Sequence, residues 1–297
     1  MIVGNRRKSG INLLQIWNVA KVEYAKWICN PRMIIILCMV LFVYDYIVCT
    51  MHNASGEMGK MCMIIEPFLA ICNSTLLILI MPIVFLTLMG DFPKTDGNTM
   101  FYISRVGKNN WMFGQLLFGI MAAGSYLMSI LVISVTLVVR HSFGKNMWSN
   151  VITSYTKAFP NEKMARIPML VNGKLYNNMT PVQTVILTIT LLMLYLMVME
   201  LMLLVSFSVG KRMMGILISY TIIGVGSALC GLKSKIQWVF PSAHSIAWLH
   251  FDDVLRIQKF KISYSYIYFI VLLIVLFAVS LVTVKRYDFA KITDMED

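Results

Sequence analysis

The chain has 297 residues, of which 58% are hydrophobic and only 13% charged, with a mean hydropathy of +0.73 and a formal net charge of +12. Apolar residues at that density, gathered into long runs rather than short periodic ones, exclude an ordinary soluble domain and make the chain a membrane protein. The cations are divided among short flanks between the runs, without the clustered basic surface and interleaved aromatics of a nucleic-acid groove, so the partner they imply is anionic lipid rather than nucleic acid.

In chain order, the first element predicted is an amphipathic helix within residues 1–32. Leu13, Leu14, Trp17, Ala20, Tyr24, Trp27 and Ile28 recur at three- and four-residue spacing, and Gln15, Asn18, Val22, Glu23 and Lys26 fall mostly on the other side. Such a helix lies along the membrane interface, where Trp and Tyr are at home. Asn30-Pro31 would end it and turn the chain inward.

Six apolar runs follow, at Met33–Met51, Ile64–Leu88, Met112–Val139, Pro181–Val209, Met213–Leu229 and Tyr266–Val284. Most reach the roughly 20 residues that span hydrocarbon at about 1.5 Å per residue. Gly210-Lys211-Arg212 is short and doubly cationic, so the fourth and fifth runs read as a hairpin turning outside the lipid. The expected fold is therefore all-α: a six-span domain over 33–290, preceded by an interfacial helix in 1–32 and closed by a tail at 285–297. Arg6, Arg7, Lys8, Lys21, Lys26 and Arg32 against Glu23 alone place the amino terminus in the cytoplasm, and six spans return the carboxyl terminus to the same side.

Between the second and third runs lies a polar insert, 91–111. Pro93 sits poorly inside a long helix, Asp96 or Asn98 would cap a short one, and Met100, Phe101, Ile103 and Val106 supply a small apolar face. Arg105 and Lys108 at its end suit a helix carboxyl terminus and leave cations for an acidic partner.

An amphipathic amino-terminal helix, six spans, and Asp91-Phe92-Pro93 followed by Tyr102, Arg105, Lys108 and Trp111-Met112-Phe113-Gly114-Gln115 resemble the type-2 ATP-binding-cassette exporter permeases, particularly bacterial ones for antibiotic and bacteriocin export or immunity. The resemblance implies that the insert is a coupling helix seated on a cytoplasmic ATPase subunit, with Asp91, Pro93, Asp96, Tyr102 and Arg105 as its contacts. It also implies that two permeases pair, and that the segment around Phe240-Pro241-Ser242-Ala243-His244 folds back partly into the membrane. ATP and Mg2+ would belong to the partner subunit, with no cofactor on this chain. The chain itself lacks a phosphate-binding loop: Gly226 to Gly231 comes nearest, but the lysine, Lys233, falls one residue late at the end of a span.

Ionisable and polar groups inside the runs are the other candidates. Asp45, flanked by Tyr44 and Tyr46, lies in the first run, Glu200 near the middle of the fourth, and Asn73-Ser74-Thr75 in the second. A carboxylate at bilayer depth costs roughly 2.5–3.5 kcal/mol on insertion scales, so it is paired, protonated or turned to a cavity. Asn73, Asp45 and Glu200 thus mark a candidate intramembrane polar path, and Glu200 supports a rival reading as a gradient-driven carrier or channel. A non-transporting binding or immunity protein is the third reading. The six cysteines form neither a disulfide framework nor a metal pattern; His244 and His250 with Asp252 and Asp253 are the one cluster that merits a metal test.

Overall fold

The computed structural model describes residues 11–74, 77–94, 99–159, 170–252 and 257–286, and within them the chain is mostly helical. Hydrocarbon leaves a spanning backbone no water to bond, and helices satisfy every amide and carbonyl internally. Helix α1, Leu13–Ile28, begins where Asn12 accepts hydrogen bonds from the amides of Leu14 and Gln15. The first span then runs over Pro31–Met58, as a short tight turn, α2 (Ile34–Val43), a π-helical turn at Tyr44–Cys49 and α3 (Thr50–Met58). It outruns its apolar stretch by seven residues' worth of polar sequence after Met51, because a helix need not stop where hydrocarbon ends.

The second run differs from the expected single helix. It is two pieces, α4 (Glu66–Asn73) and α5 (Leu77–Leu88), whose axes diverge by 83°. The helix breaks because Ser74 turns to an extended conformation. The carbonyl of Asn73 is then bonded by the indole Nε1 of Trp248, 3.1 Å away and far along the chain. After the insert helix α6 (Thr99–Val106), α7 starts at Lys108 and runs to Val138, continuing as a tighter turn to His141. Its 34 residues extend about 50 Å, longer than the roughly 30 Å of a hydrocarbon layer.

Two short strands, β1 (Cys62–Met63) and β2 (Ser142–Phe143), pair in parallel and join the segments beyond the first and third spans. Glu66 fastens the same region: its carboxylate accepts from the amides of Met63 at 2.9 Å and Ser149 at 2.6 Å. Helices α8 (Asn150–Ala158) and α9 (Gly173–Asn178) lead to α10 (Pro181–Ser208) and α11 (Arg212–Gly231). These last two form the expected hairpin, with Gly210 at φ +77° reversing the chain. After α12 (Pro241–Ser245), the long α13 (Ile262–Arg286) ends the described chain.

Helix α10 is the hub, packed on α4, α5, α7, α11, α12 and α13. Its most apolar stretch is 56% buried, against 17% for α13 and 22% for the first span; those two are peripheral and present Ile267, Ile270, Ile274, Ile34, Leu37 and Leu41 outward. Hydroxyl pairs tie the bundle together, with Ser208 and Thr283 at 2.6 Å and Thr87 and Tyr220 at 2.8 Å. Among the described residues, five helices are long and apolar enough to cross a bilayer, and the bent α4–α5 pair makes a sixth if taken as one span.

Helix α1 also departs from expectation. Its buried face is Ile16, Val19, Ala20, Glu23 and Trp27, while Leu13, Leu14 and Trp17 are exposed. The face is rotated because α7 selects it: a Cβ on Gly114 would lie 2.5 Å from the Val19 Cβ, so the two backbones approach closely at that point. Asn110 of α7 completes the dock, accepting from the Asn12 amide at 3.1 Å and donating to Gln15 Oε1 at 2.9 Å. What packing leaves outward is then mostly apolar, as suits an interface.

Candidate functional site

One end of the bundle gathers the ends of five elements. Helix α1 stops at Cys29, and Asn30 caps the following turn by accepting from the Arg32 amide at 3.0 Å. Asp91, just past α5, reaches back to that turn: its Oδ1 lies 2.8 Å from Arg32 Nη2, and its Oδ2 accepts from Asn30 Nδ2 at 3.4 Å. Arg212, opening α11, stands 3.9 Å from the same carboxylate and donates to the Gly90 carbonyl at 3.2 Å. Lys108, opening α7, donates to the carbonyl of Lys285 near the end of α13. An acidic residue between two arginines thus clips α1, the end of α5 and the α10–α11 turn into one base. The side chains of Arg32 and Asp91 are about 40% exposed, so the clasp fixes geometry more than it adds stability.

Beside the clasp lies a small, half-open pocket lined by Glu23, Lys26, Trp27, Asn30, Asp91 and Phe92 among others. Phe92 stacks on Phe118 at 5.4 Å and Trp27 meets the same ring edge-on at 6.3 Å. The insert helix α6 lies alongside. Ile103 and Val106 are its buried anchors, Arg105 points outward, and Gly107 at φ +85° separates it from α7. Tyr102 is half-buried, and its hydroxyl has no hydrogen-bond partner among the described residues. Burial, and then the negative charge of Glu23, push its phenol above the ordinary range.

The expected short helix in the insert is present. Of its proposed contacts, Asp91 is engaged within the chain, Pro93 is buried, Tyr102 is half-buried and Arg105 is exposed. Asp96, and the capping role suggested for Asp96 or Asn98, lie outside the described residues.

The bundle interior holds a second group. Glu200 is fully buried in α10, and neither carboxyl oxygen has a hydrogen-bond partner among the described residues. It fits because α7 offers glycine opposite: a Cβ at Gly119 would lie 1.4 Å from Glu200 Oε2. One turn earlier on α7, Gln115 is equally buried with both amide atoms unpartnered. Nearer the other end, Asn73 donates to Leu69 O at 3.1 Å and, across helices, to Thr188 Oγ1 of α10 at 3.3 Å. Thr75 lies outside the described residues. Asp45 is not part of this seam: it is exposed on the flank of the first span, in the π-helical turn.

The segment after α11 forms a third group, wedged against α10, α11 and α13. Ser242 bonds Tyr195 of α10 at 3.0 Å, and Trp248 seals the α4–α5 break. His244 and His250 converge on Ser265 of α13, each with a ring nitrogen 2.8 Å from its Oγ. Burial pushes both imidazoles down from the ordinary range, His250 to about 4. Asp253 lies outside the described residues, and among those described no group of three His, Cys, Asp or Glu side chains is placed to hold a metal.

Gln115 entered the sequence reading only as the end of the Trp111–Gln115 stretch, and Glu66 and Ser265 were not singled out. Gln115 sits one turn from Gly119 in an otherwise apolar run, and Glu66 stands just before a proline at a helix start; both are legible signals. Ser265 carries none. Against known protein families, characterised proteins and solved structures, the chain has no match.

Proposed function

We propose that this chain is the membrane-embedded permease subunit of an ATP-driven bacterial exporter. It pairs with a second permease, identical or different, and receives its energy from cytoplasmic ATPase subunits that carry the ATP and Mg2+. The observation that carries this reading is the base of the bundle: the start of the first span, the end of α5, the start of α7, the α10–α11 turn and the end of α13 meet there. A chain crossing six times with both ends on one side produces that alternation, and the ends would lie in the cytoplasm of a cell whose inner membrane holds the spans. From this base α6 displays Arg105 outward while the Asp91 clasp connects its surroundings to α1 and α11. A push on α6 would be delivered to several spans at once. The cargo class that suits a mostly apolar bundle is amphipathic or hydrophobic: a peptide, an antibiotic or a lipid-like molecule.

Two measurements test it. Affinity purification of the tagged chain from its own membranes should bring down a soluble subunit bearing a phosphate-binding loop. Arg105→Glu should reduce that co-purification and ATP-dependent transport at least tenfold without changing membrane insertion, since Arg105 is exposed and buries nothing. Wild-type transport by this variant would remove α6 as the coupling contact.

A second reading is supported by Glu200. A lone, unpartnered carboxyl at the centre of a bundle is also what a proton- or cation-coupled carrier requires. In that case Glu200→Gln abolishes transport and nucleotide depletion leaves it unchanged; the exporter reading expects the reverse.

A further inference from the structure

The histidine pair between α11 and α13 has one hydrogen too few. His244 Nε2 lies 2.8 Å from the carbonyl of Trp238, and His250 Nδ1 lies 3.0 Å and 3.3 Å from the carbonyls of Ile246 and Ala247. A carbonyl only accepts, so each of these nitrogens carries its ring's N–H. In the neutral imidazoles the remaining nitrogens, Nδ1 of His244 and Nε2 of His250, are both acceptors. Both face the single hydroxyl of Ser265 at 2.8 Å. That hydroxyl has one hydrogen and can satisfy one of them; the other contact sets lone pair against lone pair. His244, His250 and Ser265 are all buried, at 2%, 0% and 0% exposure, which leaves little room for either ring to turn away. His244 is further held by stacking on Tyr268 at 4.0 Å, and Trp238 by stacking on Phe260 at 4.0 Å.

We propose that His244, Ser265 and His250 form a binding site for one proton. The added proton makes one ring an imidazolium, which donates to Ser265 Oγ, while the serine hydroxyl donates to the other ring. Every polar atom of the triad then has a partner. A second proton is disfavoured, since it would set two cations against one oxygen and leave the hydroxyl hydrogen without an acceptor.

Among the described residues the surroundings are otherwise short of charge. Tyr268 is the titratable side chain in ring contact with His244, and Tyr195 reaches the segment through Ser242. Lys235, Lys259 and Lys261 on the flanking turns are exposed, and Asp252 follows His250 by two residues. Burial opposes an imidazolium and the missing hydrogen favours one, so uptake falls on the acid side, between about 4 and the ordinary 6.5. The same segment carries Trp248 into the α4–α5 break and Ser242 onto α10. A proton that tightens its hold on α13 therefore strengthens a wedge between spans.

The test is 15N NMR of the full-length chain labelled at histidine, in lipid nanodiscs, from pH 7.5 to pH 4, with His52 and His141 replaced by Gln so that only this pair is observed. One proton should be taken up per chain, with both rings responding in a single step. Ser265→Ala, which removes the shared oxygen, should move the midpoint at least one pH unit lower. His250→Gln supplies a neutral amide donor to Ser265, so His244 should then stay neutral down to pH 4; this variant serves if Ser265→Ala does not fold. Two independent protonations, or a midpoint unmoved by either substitution, would overturn the site. So would resonances that shift with one equivalent of Zn2+ at pH 7.5 and show no proton step, since the facing lone pairs would then belong to a metal.

Discussion

Gly119→Ala is expected to destabilise the chain by about 3 kcal/mol, at the upper end of what overpacking a core costs. The new methyl carbon would stand 1.4 Å from Glu200 Oε2, 1.8 Å from its Cδ and 2.0 Å from Oε1, all far inside contact distance. A flexible side chain usually relieves such a clash by swinging aside, but Glu200 is wholly buried, with Met199 and Leu201 beside it on α10 also buried. Relief therefore requires α7 and α10 to separate, and α10 is the helix on which the others pack. The informative comparison is a double-mutant cycle. Glu200→Ala vacates the space that the methyl needs, so Gly119→Ala introduced on that background should cost less than 1 kcal/mol, a coupling of about 2 kcal/mol or more. Thermal unfolding in a mild detergent reads both. Equal penalties on the two backgrounds would mean that the two residues do not share the space described.

Glu200→Met should raise stability by about 1–3 kcal/mol, the penalty of a buried polar group left unsatisfied. Methionine keeps the unbranched shape that lies along Gly119 and removes the two oxygens that lack partners. A gain in stability with transport retained would make Glu200 a burden with no role in transport. A gain accompanied by complete loss of transport would identify a carboxyl kept at the expense of stability, as functional sites are. A melting temperature well below wild type would count against the unpartnered state, because it would require an interaction that methionine cannot replace.

The Arg105 and histidine experiments address different ends of the molecule and separate its questions. Failure of Arg105→Glu to affect transport bears on coupling to an ATPase and leaves the proton site intact. Failure of the histidine titration bears on the wedge and leaves the exporter reading intact.

The sequence by itself determined the class and the run of the chain. Long apolar stretches satisfy their backbones internally as helices, and the helices on the third to sixth runs begin and end within a few residues of where hydropathy puts them. The α10–α11 hairpin followed from Gly210 and two cations, and the insert helix from Pro93 and a short apolar face. These are local matters: composition, period and turn chemistry act over a few residues.

Tertiary structure decided what depends on a partner from elsewhere in the chain. Asn73-Ser74-Thr75 is a polar spot in the second run, but a helix break there is not legible in it, because the carbonyl the break frees is satisfied by Trp248, 175 residues away. Glu23 was placed on the polar side of α1 and is buried, since a helix docked on another helix is oriented by the closest approach, here Val19 on Gly114. That Asp91 stands between Arg32 and Arg212 is likewise set by the fold, since the three residues lie far apart in sequence. His244, His250 and Ser265 lie too far apart in sequence to form a motif, and only the fold of the 235–265 segment sets two acceptors against one hydroxyl. Hydropathy reports which segments leave water; which side chains then meet is fixed by packing between segments, and no local pattern carries that information.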